Sequence, residues 1–125
     1  MASNVYAVYA AAHHWSMIGT EDQMSAAQLL LGRVHALLGH RTLAMEFANS
    51  AFRSITSRDS SPWEIAFAHA ILAHARAISE NPELHREHYL KARTLGEGLE
   101  NAQDKELFRA TFDLIPAPGE TGSIR

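Results

Sequence analysis

Apolar residues recur along this chain at steps of three and four, which is the spacing of one face of an α-helix. Met24, Ala27, Leu31 and Val34 form one such stripe, and similar stripes run through the later segments. No segment alternates apolar and polar residues over the length of a strand, so the pattern predicts an all-α protein. We expect about six antiparallel helices, at roughly 4–18, 21–38, 41–57, 62–79, 82–99 and 103–115.

Local sequence signals mark the ends of these segments. Thr20–Gln23 and Ser61–Glu64 have the form of a capping box, in which the first and fourth residues bind each other's backbone. Asn81–Glu83 combines an N-cap residue, a proline at the first helical position and an acid near the positive end of the helix dipole. Gly19 and Gly39 stand where helices commonly end in the left-handed conformation.

The helices repeat in pairs. The segments 21–38 and 41–57 align with 62–79 and 82–99 at an offset of about 41 residues, which places Gly32 on Ala73. The first pair resembles a tetratricopeptide repeat (TPR), whose signature is W-x2-L-G-x2-Y followed by A-x3-F-x2-A on the second helix. Matches to the signature in the first pair are Leu31, Gly32, Gly39 at the turn, Ala44 and Ala51, whereas His35 and Ala48 replace aromatic residues and Gln28 replaces the tryptophan.

The second pair matches less completely. Leu72, Tyr89 and Ala92 fit the signature, and Ala73 is an acceptable small residue, whereas Arg76, His85 and His69 depart from it. The resemblance covers about 24–57 and 65–98, and it extends to small bacterial TPR-like proteins of unknown role with an "HHW" first helix. It implies a TPR-like array of helical hairpins over 1–115, followed by a flexible tail at 116–125. A simple antiparallel helix bundle with the same helices is the alternative.

Composition and charge narrow the classes of function. The 125 residues suit one domain, and 46% hydrophobic with 20% charged residues is typical of a globular protein. The net charge of −3 gives no reason to expect nucleic acid or an anionic membrane as a partner. The absence of cysteine excludes disulfides and thiolate chemistry. No basic leader and no long apolar run is visible, so we expect a cytoplasmic protein without a cofactor.

The resemblance also selects a candidate binding surface. TPR-like proteins bind protein or peptide partners on the concave face formed by the first helix of each pair. In this sequence that face corresponds to Leu29, Arg33, Leu37, Phe67, Ala70, His74 and Ile78. An apolar groove with two cationic donors would suit an acidic peptide or a C-terminal carboxylate. Leu29 and Ala70 replace the lysine that a carboxylate clamp in this family would need.

Eight histidines are a second candidate for chemistry. His13 and His14, beside Trp15, lie near the end of the first predicted helix, where protonated histidines are favoured. His85 and His88 are three apart on one helix face and form a weak candidate for a metal site. The pairs His35/His40 and His69/His74 are each five residues apart, or about 140° around a helix, and are not expected to chelate.

No recognised catalytic motif accompanies these histidines. The sequence contains no H-E-x-x-H, no G-x-S-x-G and no phosphate-binding glycine loop. Gly96 and Gly98 in "LGEGLE" are interpreted as the end of a helix. A non-catalytic protein-interaction or scaffold module is therefore the leading hypothesis, and a small helical enzyme or a ligand- or metal-binding protein that uses the histidines is the alternative.

Self-association is a further hypothesis about partners. The ends of a short helical array need caps. If the first and last helices do not provide them, Tyr6, Tyr9, Phe108 and Phe112 are the side chains that would join a symmetric homodimer.

Overall fold

The structure is a computed structural model that describes the backbone of residues 21–118 and the side chains from residue 23 onward. This part of the chain contains five α-helices and no strand, which confirms the all-α class. The helix predicted at 4–18 lies outside the described residues, as do Gly19 and the capping box that begins at Thr20. The described helices are α1 (Glu21–Leu37), α2 (Arg41–Thr56), α3 (Pro62–Ile78), α4 (Pro82–Glu97) and α5 (Ala102–Phe112).

Side-chain caps fix where three of these helices begin. The Glu64 carboxylate accepts hydrogen bonds from the backbone N–H and the hydroxyl of Ser61, at 3.1 and 3.0 Å. The Asn81 side chain accepts from the backbone N–H of Leu84 at 3.2 Å, as its position before a proline predicts. Asn101 performs the same role for α5, by accepting from Asp104 at 2.9 Å.

The end of α1 is as the sequence predicts. Gly39 has a φ of +77°, the left-handed conformation that glycine adopts without a steric penalty. Its N–H donates to the carbonyl of Ala36, and His40 N–H donates to the carbonyl of His35. These bonds satisfy carbonyl groups that the end of a helix would otherwise leave unpaired. The tight turn forces α2 to run antiparallel to α1.

Helix α3 is the centre of the fold, because it packs against each of the other four described helices. The α1–α2 and α3–α4 hairpins have the most extensive contacts, and α3 also packs on both helices of the first hairpin. Helix α5 then packs on α3 and α4. Neither α1 and α5 nor α2 and α4 approach each other closely in backbone position, so each of these pairs is separated across α3.

Small residues allow the first three helices to meet closely. Ala44, Ala48 and Ala51 are fully buried on α2 and belong to a cluster shared by α1, α2 and α3. A Cβ atom at Gly32 would lie 3.0 Å from Cγ2 of Ile71 and 3.3 Å from the backbone N of Ala48. Gly32 of α1 therefore lies close against both α2 and α3, and a side chain there would require these neighbours to shift.

A second cluster of buried residues joins α3, α4 and α5. It contains Ala66 and Ala70 from α3, Ala92 from α4 and Phe108 from α5. Helix α4 ends at Glu97, as the glycines of "LGEGLE" predict, and Gly96 lies buried in its last turn, where its missing side chain leaves space for the Phe108 ring. Gly98 follows the helix as its C-cap.

Candidate functional site

A cleft opens between α1 and α5, with α3 as its floor. It exists because α1 and α5 both pack on α3, while their backbones do not approach each other closely. Its volume is about 310 Å³, near the lower end of the range for ligand pockets. The residues that line it are Ala26, Leu29, Leu30, Arg33, Trp63, Phe67, Ile71, Leu107 and Thr111.

Aromatic contacts hold the floor and the α5 wall in place. Phe67 packs edge-to-face against Trp63 on one side, with ring centroids 5.6 Å apart, and against the buried Phe108 on the other, at 5.5 Å. Trp63 and Leu107 remain exposed, with 37% and 62% of their surface accessible. Large apolar side chains at a concave surface provide contact area for a partner without having to reorganise.

Arg33 is the one charged side chain among the described residues that line the cleft. Its Nε atom is buried and has no hydrogen-bond partner in the part of the chain that the structure describes. A guanidinium group binds a carboxylate through two parallel hydrogen bonds, and such a bond is strengthened where water is excluded. Arg33 therefore makes the cleft suitable for an apolar group that carries a carboxylate nearby.

The structure brings together three of the seven residues predicted to form the groove. Leu29, Arg33 and Phe67 line the cleft. Leu37 is exposed at the last turn of α1, beyond the lining residues. The other three face the interior, because α5 and the hairpin partners cover them: Ala70 is in the second cluster, His74 is buried, and Ile78 packs on the first cluster.

The remaining lining residues were not identified from the sequence. Steps of four residues separate Trp63, Phe67 and Ile71 on α3, so the three share one helix face. Extending the apolar stripe of Phe67 and Ile71 by one turn toward the N-terminus would have identified Trp63. Leu107 and Thr111 carry no such signal. They reach the cleft only because α5 packs on α3. The alignment of the two hairpins does not include α5, since this helix follows them singly.

The histidines are arranged in pairs at the joints between helices. Nδ1 of His35 lies 2.9 Å from Nδ1 of His40. Treating these two residues as members of one helix was wrong, because His40 follows the Gly39 turn and its ring can fold back. Burial lowers the pKa of His35, and the neighbouring His40 lowers it further.

A second pair joins α3 to α4. Nδ1 of His69 lies 3.1 Å from Nδ1 of His88. The Phe52 ring of α2 packs edge-on against both, with centroids 4.9 Å from His69 and 5.4 Å from His88. Burial lowers the pKa of His69 to about 4, and the positive charges of His88 and Lys91 add to the shift.

His74 and His85 connect the floor of the cleft to the C-terminal segment. Burial lowers the pKa of His74 to about 4, and His85 and Arg33 lower it further. The Nε2 atom of His85 lies 2.7 Å from the carbonyl oxygen of Pro116, to which it donates. The first residue of the predicted tail, 116–125, is therefore bound to α4.

A metal site is not apparent in these histidine arrangements. His85 bonds to Pro116 and His88 pairs with His69, so the two rings predicted to share a metal have different partners. In the described part of the chain, no three His, Cys, Asp or Glu side chains are grouped so as to hold a metal ion. His13, His14 and Trp15 lie outside the described residues.

The aromatic residues proposed for a dimer interface are used within the chain. Phe108 is buried against Phe67 and Gly96, and Phe112 stacks on Phe108 and contacts Tyr89, with centroids 5.3 and 4.6 Å away. Tyr6 and Tyr9 lie outside the described residues. Between residues 21 and 118 no helix is long and apolar enough to span a membrane.

Comparisons of the chain with models of protein families, with curated proteins and with solved structures found no match.

Proposed function

We propose that the protein is a TPR-like interaction module that binds a peptide segment in the cleft between α1, α3 and α5. The observation that carries the proposal is the combination of exposed apolar walls with one cation, Arg33, whose Nε has no hydrogen-bond partner among the described residues. No catalytic role is assigned to the protein.

The packing of the helices supports the TPR-like part of this proposal. In such arrays, the first helix of each hairpin packs on both helices of the hairpin before it. Helix α3 does so on α1 and α2, and α5 does so on α3 and α4. Gly32, at the signature glycine position, lies at the closest approach of three helices. In this arrangement α1, α3 and α5 are the helices of the concave face.

The cleft also indicates the chemistry of the ligand. Its volume of about 310 Å³ suits one or two apolar side chains rather than a whole helix. Arg33 lines the cleft, and its guanidinium group could bind a ligand carboxylate through two parallel hydrogen bonds. The proposed ligand is therefore a short peptide in which an aliphatic or aromatic side chain stands next to a carboxylate.

Selection from a phage-displayed library of random peptides tests the proposal. We expect enriched sequences to combine an apolar residue with Asp, Glu or a free C-terminus. Synthetic versions with a free or an amidated C-terminus would separate the two sources of the carboxylate. Binding affinity, measured by titration calorimetry, should fall at least tenfold in Trp63→Ala and in Arg33→Gln.

Matched controls are available on α2, which contributes no residue to the cleft. Arg41→Gln removes an exposed cation, and Leu43→Glu replaces an exposed apolar residue, the counterpart of Leu107→Glu in the cleft. These two α2 variants should bind as the wild type does. If selected peptides bind Trp63→Ala and Leu107→Glu as tightly as they bind the wild type, the cleft is not the binding site.

A further inference from the structure

The cluster of Phe52, His69 and His88 lies where three helices meet, away from the cleft. His69 is two residues beyond Phe67, or about 200° around α3, so it is on the face opposite to the floor of the cleft. Phe52 comes from α2 and His88 from α4. Because α2 and α4 do not approach each other in backbone position, side chains such as these carry the contact between them.

The hydrogen bond of the cluster exists in only some protonation states. Two imidazole rings that face each other through Nδ1, 3.1 Å apart, need one nitrogen to donate and the other to accept. When both rings are protonated, both nitrogens are donors and both rings are positively charged. The bond is then lost and is replaced by repulsion at short range.

Burial opposes protonation of both rings, and the nearby charges add to this effect at His69. Lys91 of α4 acts on His69, and Arg76 of α3 acts on His88. Glu87, beside His88 on α4, is the acid that acts in the opposite direction. The contribution of α2 is the Phe52 ring, which carries no charge. Glu87 has a larger effect on His88 than Arg76 has. Among the described residues, however, no acid acts on His69, so a proton added to His69 is poorly compensated while the helices remain packed.

We propose that His69 and His88 form an acid-sensitive latch within the α3–α4 hairpin, at the place where Phe52 of α2 packs on it. At neutral pH the shared N–H···N bond holds α3 against α4, and the Phe52 ring of α2 packs on the pair. In acid, protons bind more favourably to the separated rings than to the packed pair, and the seam opens locally. The latch lies on the opposite face of α3 from the cleft, so it does not depend on the proposed peptide binding.

The difference in the pKa of His69 between the packed and the open form sets how strongly the open population depends on pH. A histidine with a pKa of about 4 when packed and 6.5 when exposed favours the open form as pH falls between those values. From pH 7 to pH 5, His69 alone should increase the open population about twentyfold. Above pH 7 the same residue should have little effect, because it is then neutral in both forms.

Two NMR measurements test the latch. In protein labelled with ¹⁵N-histidine, we expect a scalar coupling between Nδ1 of His69 and Nδ1 of His88 across their hydrogen bond at pH 7. Native-state hydrogen exchange, corrected for the intrinsic pH dependence, should show the twentyfold rise for amides along the α3–α4 seam. His69→Gln keeps a polar side chain that does not titrate, and it should remove most of that rise.

The control is His40→Gln, which removes an exposed histidine at the turn between α1 and α2 and should leave the response intact. The proposal is overturned if the coupling is absent at pH 7, if seam exchange does not respond to pH, or if His69→Gln responds as the wild type does. Should His69→Gln fail to fold, His88→Gln takes its place, and the coupling in the unmodified protein remains decisive.

Discussion

Two glycines near the end of α4 show how strongly the surroundings of a single residue decide its role. Gly96 is buried, and a Cβ atom built there would overlap the ring of Phe108. Gly98 lies two residues later, and the nearest atom to its Cβ position is the carbonyl oxygen of Thr94 at 3.5 Å, an ordinary contact. Its φ of −84° is available to any residue.

Replacing each glycine by alanine should therefore have different effects. Gly96→Ala forces Phe108 to move, and we expect it to lower the free energy of unfolding by about 2 kcal/mol, despite the higher helix propensity of alanine. Gly98→Ala should change it by less than about 0.5 kcal/mol. Urea denaturation of the two variants measures both values, and equal effects would contradict the packing described for α5.

His74 gives stability a dependence on pH. With a pKa of about 4 in the folded protein and 6.5 when unfolded, it binds protons preferentially in the unfolded state. Its contribution to stability is complete above pH 6.5 and is lost as pH falls toward 4. Because the side chain is only 5% exposed, the loss approaches a ceiling of about 3 kcal/mol.

His74→Gln should flatten this dependence, since glutamine does not titrate. The measurement is the difference in the free energy of unfolding between pH 7 and pH 5, obtained from urea titrations of the wild type and of the variant. Comparing each protein with itself at two pH values removes the direct cost of the substitution. If both lose the same stability in acid, His74 is not the group responsible.

At the scale of helices, the sequence predicts most boundaries because the signals are local. The segment predicted at 62–79 corresponds to α3 at Pro62–Ile78, and its start depends on the contact between Ser61 and Glu64. The last helix is shorter than the predicted 103–115. Ile115 continues the apolar stripe and is buried, but the chain has already left the helix after Phe112.

The caps themselves are open to test. Asn81→Ala and Asn101→Ala each remove the acceptor for a backbone N–H at a helix start, and each should destabilise the protein by about 1 kcal/mol. Gln103→Ala changes an exposed residue in the first turn of α5 and should stay within about 0.5 kcal/mol of the wild type. If thermal or urea unfolding shows that Gln103→Ala destabilises the protein as much as the two cap variants do, this role for the caps is contradicted.

At the scale of the whole molecule, the sequence predicts only those cleft residues that the alignment of the two hairpins selects. Leu29, Arg33 and Phe67 were selected by register and line the cleft. His74 shares the register but is buried, because the position of the neighbouring helices is a tertiary property. The wall formed by Leu107 depends on how α5 packs on α3, and the pairing of His69 with His88 depends on how α4 packs.

Among the described helices, the backbones of α1 and α5 do not approach each other, and the cleft lies between them. The cleft combines exposed Trp63 and Leu107 with Arg33, whose Nε has no hydrogen-bond partner between residues 21 and 118. The proposed function depends on these features acting together as one binding site.

Mapping a selected peptide onto the protein by NMR tests that claim most directly. On addition of the peptide, backbone amide shifts should change in α1 around Leu30 and Arg33, in α3 around Phe67, and in α5 around Leu107. The same titration with Arg33→Gln should show much weaker binding. Changes centred instead on the outer face of α2, between Arg41 and Arg53, would contradict the assignment of the cleft as the binding site.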